Sequence, residues 1–600
     1  MKRPVRHDGF VPIADYAVVG DGRTVALIAT DGTVDWWPCP TLDAPPLCAA
    51  LIDPDRGGHL VLRPVGAYEV DRRYLYRTNV LESTYRTSQG VVTVTQALNV
   101  GSSGRLPWVE FAHRIVALSG QVTMHWEWRP GDRFGQAAPW TTSYHGTPLS
   151  IVGDQVVGVI TDDPMECTVD DDGGAIRGVF TVEPGNHRTI ALVASDREPL
   201  LIPDLAAVDE RLNATIQYWC GWSHGLTHAG PWASVVERSA LALKLLLAED
   251  TGAIAAAATT SLPERIGGAK NWDYRFAWVR DTSFTLDALI NLGLHEEVQR
   301  SVSWLVDTIG RHGLHVFYTL GGEVNSDQQE LAAPGYAHSR PVRAGNRAAE
   351  QTQLGTYGDL FDTIWRYCEQ GHVLDASTAR LLADLADQCC DSWRKPDAGL
   401  WELTRREHYT ISKIGCWVAL DRARRLADEG QITDVRSARW HDEAERVRDW
   451  IDTNCWSDAK RSYTFFAGTE DLDAAVLLAG RTGFDRGSRL ATTIAAIRRE
   501  LGAGPLLYRY SGADLEEGAF VACSFWMVEA LALTGQCDEA TELMHRAAEL
   551  VNDVGLLAEE IDLESRAFLG NFPQGLSHLA LINAAFTLQS CGPRGGADAP

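Results

Sequence analysis

Glu402 and Glu559 lie in two segments whose carboxyls could do acid–base chemistry, Gly399-Leu-Trp-Glu402 and Leu556-Leu-Ala-Glu-Glu-Ile-Asp562. Hydrolysis of a glycoside needs one carboxylic acid to protonate the leaving oxygen and one carboxylate to activate water on the opposite face. A third segment, Asn271-Trp-Asp-Tyr-Arg-Phe-Ala-Trp-Val-Arg-Asp281, places aromatics beside two arginines and two aspartates. Such a cluster can hydrogen-bond sugar hydroxyls while an aromatic face stacks on the ring. The same residues also fit a helix-capping Asp281 ion-paired to an arginine. Composition alone does not select the pair, because the chain carries 80 acidic residues and a lone glutamate is usually solvated surface. The two glutamates are far apart in sequence, so only the fold can bring them together.

The elements that must do so fall into two halves. In the first, Val122, Met124, Trp126 and Trp128 alternate with Thr123, His125, Glu127 and Arg129, the pattern of a half-buried strand. Residues 91–95, 178–182 and 189–194 are similar β-rich runs bounded by turn residues, and the first 220 or so residues read as an antiparallel β-sandwich. After Pro231 the period becomes helical, with Trp232, Val235, Val236, Ser239, Leu243, Leu246 and Leu247 on one stripe.

About twelve helices are predicted from there, starting near residues 231, 281, 296, 350, 376, 410, 433, 471, 486, 518, 537 and 574. Short and long connections alternate, the long ones spanning roughly 250–280, 313–349, 396–409, 453–470, 502–517 and 552–573. Six up-and-down hairpins would deliver every long loop to the same end, which predicts an (α/α)6 toroid with its site at that rim. An α-solenoid would need a 34- or 40-residue repeat, and the chain has no such self-similarity. The expected domains are 1–225 (β), 226–590 (toroid) and a frayed tail over 591–600.

Composition narrows the partners. A formal net charge of −26 argues against nucleic acid or an anionic membrane and is neutral towards an uncharged sugar. The 20 tryptophans suit sugar rings and large cores equally. The 12 cysteines include no C-x-x-C pair and no Cys/His cluster with zinc spacing, and the adjacent Cys389 and Cys390 read as packing residues. No apolar run follows the basic N-terminus and none could span a bilayer, so a reducing cytoplasm is the expected location. A homo-oligomer is compatible with the sequence.

Several motifs in register resemble glycoside hydrolase family 15, the glucoamylase and bacterial or archaeal trehalase family. They are 13–24 (IADYAVVGDGRT), 31–36 (DGTVDW), 259–264 (TTSLPE), the Trp-Asp-Tyr-Arg segment, 339–346 (SRPVRAGN), 415–422 (GCWVALDR) and 570–574 (GNFPQ). The resemblance implies an inverting hydrolase with no cofactor or metal, acting on a small neutral α-glucoside. It implies that Glu402 is the general acid, Glu559 the general base, and Tyr274 a tyrosine beside the attacking water. It further implies that Arg280 and Asp281 bind hydroxyls of the non-reducing glucose, that Trp278 and Trp401 wall the pocket, and that Arg509 lies near the leaving group. Trehalose is the first expectation. A glucoamylase-like or isomaltose-cleaving α-glucosidase comes next, then a disaccharide phosphorylase, and last a catalytically silent glycan-binding protein. Two departures bear on specificity: Gly355 stands where the family often has Asp, which removes a carboxylate near the expected rim, and Phe276-Ala277 replaces a common Tyr-Cys. Asp35-Trp36-Trp37 of the β-half could reach the site or serve the core.

Overall fold

The computed structural model describes residues 2–101, 106–162, 168–169, 174–196, 200–227 and 230–591. Strand Val122–Pro130 buries Val122, Met124, Trp126 and Trp128 and leaves the intervening residues half-buried, as the alternation requires. It lies inside an eight-stranded antiparallel sheet. Tyr16–Gly20, Val25–Ala29, Thr33–Pro38 and Gly58–Pro64 lead up to it, Ile176–Val182 and Thr168–Val169 follow, and Pro46–Cys48 pairs beside Thr33–Pro38. A second eight-stranded sheet runs Trp140–Tyr144, Thr147–Val152, Gln155–Thr161, His187–Ser195, Val109–Gly120, Gly90–Leu98, Leu81–Thr87, Tyr68–Tyr74. Across the two sheets, Trp37 packs edge-on to Phe111 at 5.6 Å and the Tyr74 hydroxyl donates to the Val18 carbonyl at 2.7 Å. Asp35, Trp36 and Trp37 are all fully buried and none lines the cavity described below, while Trp36 Nε1 donates to the Ala258 carbonyl at 2.9 Å where the two domains meet.

One element contradicts the all-β reading of the first half. Helix α1 (Leu205–His224) is capped by Asp204 and buries Val208, Leu212, Thr215 and Trp219 at helical spacing against the second sheet. Its Arg211 pairs with buried Glu110 at 2.6 Å.

Among the described residues twelve α-helices follow, near the twelve expected starts. They are α2 (Ala233–Leu246), α3 (Val279–Leu292), α4 (His295–His312), α5 (Gly355–Glu369), α6 (Ala376–Ser392) and α7 (Thr410–Asp428). The rest are α8 (Ser437–Asn454), α9 (Ala479–Thr482, entered through a 3-10 turn at Ala474–Leu478), α10 (Ser488–Glu500), α11 (Val521–Leu533), α12 (Cys537–Ala548) and α13 (Gly575–Gln589). Helices α3, α5, α7, the 474–482 element, α11 and α13 contact one another in a closed cycle, and α2 packs on α13. This is the (α/α)6 arrangement. Nearly every residue of α11 and α13 is buried, as inner-ring helices require. The inner α5–α7 crossing is tight: a Cβ on Gly358 would stand 2.5 Å from the Gly415 carbonyl oxygen.

Because each inner helix follows a long loop, the inner N-termini point to one end, where their dipoles favour negative charge. The long loops are not structureless. Gly502–Ala503, Leu506–Leu507, Ala519–Phe520, Glu560–Ile561 and Phe568–Leu569 form a five-stranded sheet that ties two of them together.

The cysteine expectations hold in part. Cys389 and Cys390 are buried free thiols, but Cys537 and Cys591 form a disulfide. The start of α12 and the end of α13 bring them together across 54 residues, a pairing invisible to short-range spacing. Cys591 is therefore anchored and does not belong to a frayed tail, and 592–600 lie outside the described residues. No helix among the described residues is long and apolar enough to cross a membrane.

Candidate active site

A cavity of about 580 Å³ opens at the long-loop end, and all eight expected site residues line it: Tyr274, Trp278, Arg280, Asp281, Trp401, Glu402, Arg509 and Glu559. They come from the first, third, fifth and sixth long loops and the first turn of α3.

Glu402 sits in the left-handed backbone region at φ 60°, unfavourable for a side chain other than glycine or asparagine. The chain accepts that cost of about 1–2 kcal/mol where it turns this carboxyl into the cavity. Trp278 Nε1 donates to Glu402 Oε1 at 2.6 Å, and Gln351 Nε2 donates to the Glu402 carbonyl at 3.0 Å. Burial raises the Glu402 carboxyl above its ordinary range, against the opposing pull of the Arg280 charge and the Trp278 hydrogen bond. The neighbouring Trp401 is fixed by Nε1 donating to Asp473 Oδ1 at 2.8 Å, and Asp473 also accepts from the Ala475 N–H.

Glu559 is 2% exposed. Its Oε2 accepts from the Asn571 N–H at 3.0 Å, and its carbonyl accepts from the Val521 N–H at 3.0 Å. Burial pushes the carboxyl up to about 8, with the like charge of Glu264 adding to the rise. Tyr274 feels the charges of both Glu559 and Glu402 and packs edge-on against Trp278 at 5.3 Å.

Arg280 pairs with Asp281 at 2.8 Å and donates from Nη1 to the Leu400 carbonyl at 2.7 Å. The ion-pair alternative is thus real, and the pair nevertheless lines the cavity. Asp281 does not cap α3, whose N-cap is Trp278.

Arg509 is held by Glu264 at 2.8 Å and by Glu517, with Glu560 at 3.8 Å and the Trp401 ring beneath it at 5.3 Å. Lys270 pairs with Glu517 at 2.6 Å. Oxygens of Glu264, Glu517 and Glu560 lie within 4.8 Å of one another, the one grouping among the described residues with metal-ligand spacing. Arg509 already supplies the counter-charge there.

Sequence reasoning missed Glu264 and Lys270, which line the cavity, and Asp473 and Glu517, which hold Trp401 and Arg509 from behind it. Glu264 had a signal, as the last residue of the Thr-Thr-Ser-Leu-Pro-Glu motif; the other three had none. Gly355 also differs from expectation. It lines a separate cavity of about 50 Å³ behind Arg280, with Asp287, Asp359, Asp362 and Arg481, and is not on the rim. A Cβ there would meet only Ser412 Cα at 3.8 Å, so the missing side chain leaves space inside the ring.

The (α/α)6 toroid thus places Glu402 and Glu559, on two different long loops, in one cavity with Trp278, Trp401, Arg280 and Asp281, an arrangement that fits a glycoside hydrolase. A family model described as "Glycosyl hydrolases family 15" matches residues 230–586, and one described as "Trehalase-like, N-terminal" matches 5–219. The chain belongs to glycosyl hydrolase family 15.

Its similar relatives include a trehalase of Mycobacterium tuberculosis, 33% identical over 97% of this chain and 90% of its own. A trehalase of Mycolicibacterium smegmatis is 34% identical over 97% and 92%. A trehalase of Thermoplasma volcanium is 29% identical over 97% and 94%. A bacterial glucoamylase solved with acarbose superposes with a TM-score of 0.72, covering 98% of this chain and 96% of that one at 12% identity, and so shares the fold.

Proposed function

We propose that this chain hydrolyses trehalose to glucose in one displacement with inversion, Glu402 acting as general acid and Glu559 as general base. The observation that carries the reading is that these two carboxyls, Glu559 buried and Glu402 half-buried, line one cavity. The substrate is supported by similarity to trehalases along the whole chain, β-domain included.

The hydrogen bonds divide the labour. Glu402 Oε1 accepts from Trp278, and burial favours the protonated form that the acid needs. Glu559 Oε2 accepts from Asn571, leaving Oε1 for water. Arg280 and Asp281 hold hydroxyls of the glucose whose C1 is attacked, between the walls of Trp278 and Trp401. Tyr274 stands beside the water, and Arg509 borders the departing sugar. As the C1–O bond breaks, Glu402 gives its proton to the leaving oxygen. Water bonds to C1, and Glu559 takes the water proton.

The stereochemistry tests this. With trehalose in water enriched in heavy oxygen, NMR faster than mutarotation should show β- and α-glucose in equal initial amounts, the label confined to β. Label in the α product would make Glu559 a nucleophile. Glucose 1-phosphate formed only with added phosphate would make the enzyme a phosphorylase. Maltose or isomaltose cleaved with a higher kcat/KM than trehalose would move the assignment to an α-glucosidase.

A further inference from the structure

The pocket segment Trp272–Arg275 alternates like a strand. Trp272 and Tyr274 line the cavity, while Asp273 and Arg275 turn away and are 1% and 4% exposed. Arg275 makes a two-pronged ion pair with Asp273, Nε to Oδ1 at 2.9 Å and Nη2 to Oδ2 at 2.8 Å. Its remaining nitrogen, Nη1, reaches into the β-domain and donates to the carbonyls of Asp43 at 3.3 Å and Ala44 at 3.0 Å. The β-domain rings of Trp36 and Phe134 flank the guanidinium at 5.8 and 5.9 Å. Asp273 in turn accepts from the Gly345 N–H at 3.0 Å, and its carbonyl accepts from Asn346 Nδ2 at 3.2 Å. The two residues flanking Tyr274 are therefore clamped from the side opposite the cavity, and three β-domain segments form one jaw of the clamp.

We propose that Arg275 is a positioning residue through which the β-domain sets the place of Tyr274, so that the β-domain is part of the catalytic apparatus as well as a folding partner. The proposal rests on the reading of Tyr274 given above. Only a planar, five-donor guanidinium can hold a carboxylate with one edge and two carbonyls with the other. A displacement of about 1 Å in such a group can cost about a hundredfold in rate.

The matched control is Arg72, a second buried arginine that joins the domains, pairing with Asp553 at 2.9 and 2.8 Å away from the cavity. R275M and R275K should each lower kcat about 10- to 100-fold, with KM changed less than about threefold. R72M should lower Tm by a similar amount to R275M while keeping kcat within about twofold, measured well below the Tm of each variant. In a Y274F background, R275M should add less than about a twofold further loss, because both act through one group. R275K, which keeps the charge next to Asp273, provides the readout if R275M does not fold. The proposal is overturned if both Arg275 variants keep kcat within about threefold while Y274F is impaired, or if the R275M loss is undiminished in Y274F. Wild-type turnover by Y274F itself would instead remove the role given to Tyr274, and the proposal with it.

Discussion

E402Q and E559Q are each expected to lower kcat by at least about a hundredfold, the lower end for losing general acid or base assistance. The amide copies the shape of the carboxyl, and in E402Q its oxygen can still accept from Trp278 Nε1, so the loss isolates proton transfer. Steady-state kinetics on trehalose should show it in kcat more than in KM. E407Q, on the same loop but paired to Arg405 at 2.6 Å and outside the cavity lining, should stay within about threefold. Near-wild-type turnover in either catalytic variant would defeat the assignment.

Stability should move the other way. The folded Glu559 carboxyl, pushed to about 8, sits above the unfolded value of about 4.3. Between those values the native state holds a proton that the unfolded chain releases, so stability falls as pH rises through this window. E559Q removes that cost and should unfold at a higher temperature than wild type at pH 7, by on the order of 1–3 kcal/mol of stability, with the gap closing near pH 4. A lower Tm for E559Q at both pH values would show that the charge is stabilised in place. The same shift predicts that kcat/KM falls on the acid side as Glu559 protonates, with the limb displaced towards 8.

G570A should be nearly as damaging although it touches no sugar. Gly570 has φ 72°, and a Cβ there would stand 2.3 Å from Glu559 Oε2 and 2.6 Å from Glu559 Cβ. The neighbouring Asn571 N–H is the donor that fixes this carboxylate, so the turn and the base form one unit. Pushing Glu559 aside should cost about a hundredfold in kcat, with a backbone penalty of about 1–2 kcal/mol in stability. Gly483 separates the two effects, since its φ is 75° with nothing within 4 Å of the added Cβ. G483A should lose stability and keep kcat. Equal kcat values for G570A and G483A would show that Glu559 tolerates the displacement.

The sequence by itself determined the helix starts, the alternation of long and short connections, and the strand faces, because these follow from local periodicity. Val122 to Trp128 can bury one face only by alternating, and six long loops between hairpins can emerge only at one end. The one local element that escaped, α1, had its signal too: Asp204 before Val208, Leu212, Thr215 and Trp219. Its buried stripe is short of apolar residues, with Thr215 at its middle, and it adjoins a long β-rich stretch. The resemblance selected eight residues, and the fold gathers all eight into one cavity.

What only the tertiary structure decided depends on groups distant in the chain. The disulfide of Cys537 with Cys591, the grip of Glu264 and Glu517 on Arg509, and the Asp473 anchor beneath Trp401 all arise from loops meeting at the rim. The positive φ of Glu402, the place of Gly355 behind Arg280, and the β-domain's hold on Arg275 belong with them. No periodicity encodes these features. A buried charge takes its partner from whatever surface the folded chain brings within about 3 Å, and that surface exists only once both domains have packed.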